Sequence, residues 1–147
     1  MKIDSGIRWG RVVVAALASE AVVVAILILI TTVYRLLVAP GKSAAEYQAF
    51  ADLAGYYVAP ATAGFAVFFS ALWATRKLTC AFIANGTLVG VTAVLLTVGF
   101  FFIAKPEDRL MYGVSFGLRI LGGYAGGALA QRTSSRRSPF LTAQQKA

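Results

Sequence analysis

Apolar residues along this chain come in long unbroken runs, and polar residues gather between them. The first run, Val12 to Val33, spans 22 residues and holds one charge, Glu20. Three more follow at about 53–75, 78–104 and 110–130, the last with a single charge, Arg119. At about 1.5 Å of rise per residue each is long enough to cross about 30 Å of hydrocarbon. The pattern predicts an all-α fold: a four-helix transmembrane bundle over residues 1–131, followed by a basic tail at 132–147 that reads as disordered and cytoplasmic.

The connections refine this picture. Only Arg76 and Lys77 separate the second and third runs, which predicts a tight antiparallel hairpin. Lys105 to Arg109 joins the third and fourth, with Pro106 suited to a first helical turn and Glu107 and Asp108 complementing a helix dipole. Ser43-Ala44-Ala45-Glu46 fits a capping box, so the second helix begins outside the hydrocarbon and runs inward. Pro60 then falls inside that helix without an amide hydrogen and predicts a helix kink near Tyr56.

Lysine and arginine set an orientation. Lys2, Arg8, Arg11, Arg76, Lys77, Arg132, Arg136, Arg137 and Lys146 lie on one side, nine in all, against four on the other: Arg35, Lys42, Lys105 and Arg109. The positive-inside rule places both termini in the cytoplasm. The first run is too long for a signal-peptide core of about 7–15 residues and has no small-x-small cleavage pattern, so it reads as a retained span.

Composition agrees: 59% of residues are hydrophobic, 14% charged, and mean hydropathy is +0.73. The net charge of +8 is spread over the ends of apolar runs, which argues against a nucleic-acid partner. Histidine is absent and Cys80 is the only cysteine. With no catalytic triad, zinc motif or phosphate loop, no enzyme, cofactor or metal site is expected. Tyr56, Tyr57 and Trp9 read as interfacial anchors, and Phe65, Phe68, Phe69 and Trp73 as lipid- or partner-facing bulk.

Counting inward from the cytoplasmic edge puts Glu20 about 12 Å deep, Arg119 about 16 Å and Asn85 about 10 Å. A single charge near the bilayer centre costs about 2.5–3.5 kcal/mol on the insertion scale, so two opposite charges at one level are expected to pair. The expected intramembrane polar cluster is therefore a Glu20–Arg119 ion pair capped by Asn85. Read as structure it fixes helix register, and read as function it is a proton- or ion-coupled site. On a helical wheel Arg119 shares its side with Tyr112, Ser115, Gly122, Gly123, Gly126 and Ala130. Gly122-x-x-x-Gly126, Gly123-x-x-x-Gly127 and Gly86-x-x-x-Gly90 predict helix packing at close range.

Ala18-Ser19-Glu20 resembles the small multidrug-resistance transporters, which carry a glutamate in the first of four helices but no membrane-centre arginine. The segment Gly122 to Arg132 resembles the Gly-Gly-rich stretches of small fluoride channels, where they sit on the first span rather than the fourth. Taken whole, the chain resembles poorly characterised small bacterial four-span integral membrane proteins whose last helix ends in a Gly-Gly-x-x-Gly-Gly-like run before a basic tail. That resemblance implies a bacterial inner (cytoplasmic) membrane and no particular activity. The expected function is that of a non-enzymatic accessory subunit, acting in assembly through helix-helix contacts with other membrane subunits or a second copy, with membrane lipids around it. The alternative is transport: a small ion- or proton-coupled transporter or channel with a midplane polar site.

Overall fold

The computed structural model describes residues 6–144, and these form four long helices with no strand. They are α1 (Trp9–Val33), α2 (Ala44–Thr75), α3 (Phe82–Ile103) and α4 (Arg109–Gln144). A π-helical turn, Tyr34–Val38, prolongs α1, and a short 3-10 turn, Pro106–Asp108, leads into α4. Lys2 and Lys146, which enter the charge count, lie outside the described residues.

The bundle inverts the arrangement of a water-soluble protein. Its core is built of small residues: Val12, Ala15, Ala16, Val67, Ala71, Ala74, Val89 and Ala93. The bulky apolar residues face outward, among them Val24, Ile28 and Leu29 of α1 and Leu95 and Phe102 of α3. In lipid, apolar side chains gain nothing by hiding from the surroundings, and helices associate through close contact of small residues instead. Three helical segments, Trp9–Val38, Ala44–Thr75 and Phe82–Ile103, are long and apolar enough to cross a membrane. This is the architecture of a multi-pass membrane protein.

α4 is less apolar because Arg119 and its glycines dilute the hydrophobic residues. It lies between α2 and α3, and α1 packs on the same two helices from the other side. α1 and α4 are therefore diagonal neighbours, separated by α2 and α3.

Local chemistry explains the helix ends. Ser43 caps α2: its hydroxyl accepts from the Glu46 amide, and the Glu46 carboxylate accepts from the Ser43 amide at 3.0 Å, completing the expected capping box. The preceding loop is knitted by aromatic contacts. Tyr34 stacks on Phe50 with ring centroids 3.7 Å apart, and the Tyr47 hydroxyl donates to the Ala39 carbonyl at 2.8 Å. The Tyr34 phenol and the Glu46 carboxylate beside Lys42 hold its ammonium above the ordinary value. At the opposite end, Arg11 donates to the Ala74 carbonyl at 3.3 Å, placing a cation at the negative end of the α2 dipole.

Two expectations need correction. The third helix begins at Phe82, four residues later than the run starting at Leu78, so the α2–α3 connection is no two-residue hairpin. Ala81 takes a left-handed conformation at φ 54° and interrupts the helix, while Leu78 and Phe82 turn in to pack with Ala130. The segment read as a disordered tail is helical as far as Gln144, continuing α4 without a break. Along it the Thr133 and Ser135 hydroxyls bond back to carbonyls of the preceding turn, so these polar side chains do not compete with the helix for its amides. Pro60, the residue on which a kink is expected, is buried within α2 between Ala44 and Thr75. The helix forgoes one amide bond to Tyr56 there without ending.

Candidate intramembrane charge site

Arg119 projects from α4 into the bundle and meets Glu20 of α1 side-on. Its Nε donates to Glu20 Oε1 at 3.0 Å and its Nη2 to Oε2 at 2.9 Å. Nη1 donates to the Ser115 hydroxyl, one turn earlier on the same helix, at 2.7 Å. The two planar groups match in a bidentate fork, the strongest geometry open to this pair. The Arg119 side chain is 7% exposed and that of Glu20 20% exposed, so the arginine is the more enclosed partner. Neither charge stands alone in the interior.

The reach of this contact follows from the backbone packing around it. A methyl group placed on Gly90 of α3 would stand 2.5 Å from the Arg119 carbonyl oxygen. One on Gly86 would meet the Gly123 carbonyl at 2.5 Å, and one on Gly127 the Phe82 carbonyl at 2.6 Å. On the other flank, Gly126 faces the Phe68 carbonyl of α2 at 2.5 Å, and Gly122 faces that of Gly64. Interlocked pairs one residue apart, Gly122/Gly126 and Gly123/Gly127, thus serve two different neighbours, α2 and α3. All six glycines picked out in the sequence are consumed inside the bundle. Their missing side chains let α4 settle deeply enough between α2 and α3 for Arg119 to touch α1.

Asn85 does not join the pair. It is buried in the first turn of α3, where Nδ2 donates to the carbonyls of Gly6 and Ala81, both at 2.9 Å. Its Oδ1 accepts from the Arg8 amide at 2.9 Å. The depth count placed it one turn too far in because α3 begins at Phe82 rather than Leu78. Asn85 instead clamps the entry of the chain onto the end of the bundle, and Ser115 takes the role expected of it.

Sequence reasoning placed Ser115 on the correct face but missed its bond to Arg119; the spacing of four residues was the available signal. It also missed a cleft of about 890 Å³ at the end of the bundle where α2 and α4 begin. Arg119 and Ser115 line its inner part, and Asp52, Lys105 and Asp108 its mouth. Tyr56, read as an interfacial anchor, lines this cleft and meets Tyr57 edge to face. Tyr57, Trp9, Phe65, Phe69 and Trp73 are exposed on the outer surface. Among the described residues no group of acidic or cysteine side chains is placed to hold a metal ion.

No protein-family model, curated protein or solved structure matches this chain.

Proposed function

We propose that the protein is a non-enzymatic accessory or assembly subunit of a larger membrane complex, with α4 as a fourth span and both termini in the cytoplasm of a bacterial cell. One observation carries this reading. While six glycines of α3 and α4 are used internally, Gly113 and Gly117 of α4 face outward with open space where a side chain would stand. Tyr124, two turns further along and on the same side, is also exposed. A small-x-x-x-small strip on the outside of a membrane helix suits a second helix at close range. The braced charge pair and interlocked backbones suit a scaffold that holds its shape.

Native electrophoresis of gently solubilised membranes tests this. The chain is expected to migrate as part of a discrete larger assembly. Gly113→Leu with Gly117→Leu is expected to release it while its melting temperature stays unchanged. Migration unaltered by that double substitution overturns the reading.

The second reading, a small ion- or proton-coupled transporter or channel, is favoured by the cleft that brings one end of the bundle to Arg119. It requires flux in liposomes that Glu20→Gln abolishes, whereas the subunit reading requires no flux.

A further inference from the structure

The cleft has a chemical asymmetry that neither role explains. Its walls carry apolar side chains from all four helices, Val23, Leu27, Ala59, Pro60, Phe100 and Met111, interspersed with the uncharged polar groups of Tyr56, Thr97 and Tyr112. Its volume of about 890 Å³ falls within the range of small-molecule sites, about 300–1,000 Å³. At its inner end stands Arg119, a side chain with five N–H donors. Glu20 takes two of them and Ser115 one, and the remaining two have no partner among the described residues. Because Nε and Nη2 face Glu20, the second Nη2 hydrogen lies on the edge formed by Nη1 and Nη2, which therefore keeps a donor to offer.

Charge narrows the class of ligand. Glu20 already neutralises Arg119, so the inner end of the cleft has no net charge to attract an anion. The mouth carries two carboxylates, Asp52 and Asp108, against one ammonium, Lys105, and so does not favour anions either. A cation has no free carboxylate at the inner end, where only donors remain. An uncharged acceptor oxygen on an apolar body satisfies both ends.

We propose that the cleft binds an uncharged, carbonyl-bearing apolar molecule, its oxygen accepting from an N–H group of Arg119 that Glu20 and Ser115 leave unpaired. The carbonyl belongs either to a free molecule entering from the open end or to the ester of a surrounding lipid. The inference does not depend on the subunit reading, since a scaffold and a transporter can each hold such a ligand.

Photolabelling with 4-butylbenzophenone tests the proposal, on the full chain in nanodiscs of ether-linked phosphatidylcholine, which has no ester carbonyl. Cross-links mapped by mass spectrometry are expected at Met111 and its neighbours in the cleft. Unlabelled butyl phenyl ketone should compete better than pentylbenzene, its counterpart without a carbonyl, by about tenfold or more, the worth of one hydrogen bond to a charged group. Gly55 lines the cleft and a methyl group there meets nothing, so Gly55→Leu should fold normally and abolish the labelling. Repeating the experiment in ester-linked lipid separates the sources: suppressed labelling assigns the site to the lipid ester, and persistent labelling to a free molecule. Equal competition by the hydrocarbon, full labelling of Gly55→Leu, or cross-links confined to outward positions such as Leu95 would overturn the proposal.

Discussion

Arg119 binds Glu20 across the diagonal of the bundle, through two hydrogen bonds of 3.0 and 2.9 Å between helices that are separated by the other two. An arginine is long enough to make that crossing only because Gly90 admits its backbone against α3. The charge pair and the glycine packing are therefore one construction: the glycines bring α4 in, and the pair holds α1 to it.

Breaking the pair from one side leaves an uncompensated charge in a largely enclosed position. Glu20→Leu or Arg119→Leu alone should destabilise the bundle by about 3–5 kcal/mol. The double replacement should recover most of that loss, because well-packed apolar residues often substitute for a buried pair at little cost. Unfolding of the three variants in detergent micelles measures this, and losses that simply add would refute the coupling.

Glycine positions should divide sharply by location. Gly123→Ala puts a methyl group against the Gly86 carbonyl and should cost about 1–3 kcal/mol, the usual penalty for overpacking. Gly113→Ala and Gly117→Ala point into open space and should change stability by no more than about 0.5 kcal/mol, even though all three lie on one helix. Melting temperatures in a single detergent compare them directly.

Asn85→Ala should release residues 6–8 from the end of the bundle and leave the charge pair intact. Three hydrogen bonds are lost, and faster amide hydrogen exchange at Arg8 reports it. Combined with Arg119→Leu, its effect on stability should add to within about 0.5 kcal/mol, as for sites with no shared partner. A strong coupling energy would place Asn85 back in the polar cluster.

Cys80 is exposed at the end of the bundle where α1 begins, the end read as cytoplasmic from the lysine and arginine count. A membrane-impermeant maleimide should therefore label it in inverted vesicles and not in intact cells. With Cys80→Ser as background, a cysteine introduced at Gly41, in the loop at the other end, should show the reverse. Labelling of Cys80 from outside would reverse the orientation read from the lysine and arginine count.

The parts of this protein that could be read along the chain are those decided by neighbours in sequence. Long apolar runs determined four helices, Ser43 and Glu46 determined where α2 begins, and two lone opposite charges at comparable depth determined that Glu20 and Arg119 should meet. In each case the controlling free energy, of hydrocarbon transfer, of a local cap or of an unpaired charge, depends on residues whose positions the helical rise already supplies.

Tertiary contacts decided the rest. Leu78 and Phe82 pack with Ala130, the third helix starts later than its apolar run, and Asn85 moves from the charge pair to the chain entry. The glycines of α4 divide between α2 and α3, a division that depends on three backbones fitting at once and leaves no trace in spacing alone. The cleft beside Arg119 arises in the same way: it is space left over when four helices reach their closest approach, and no single stretch of sequence encodes a void.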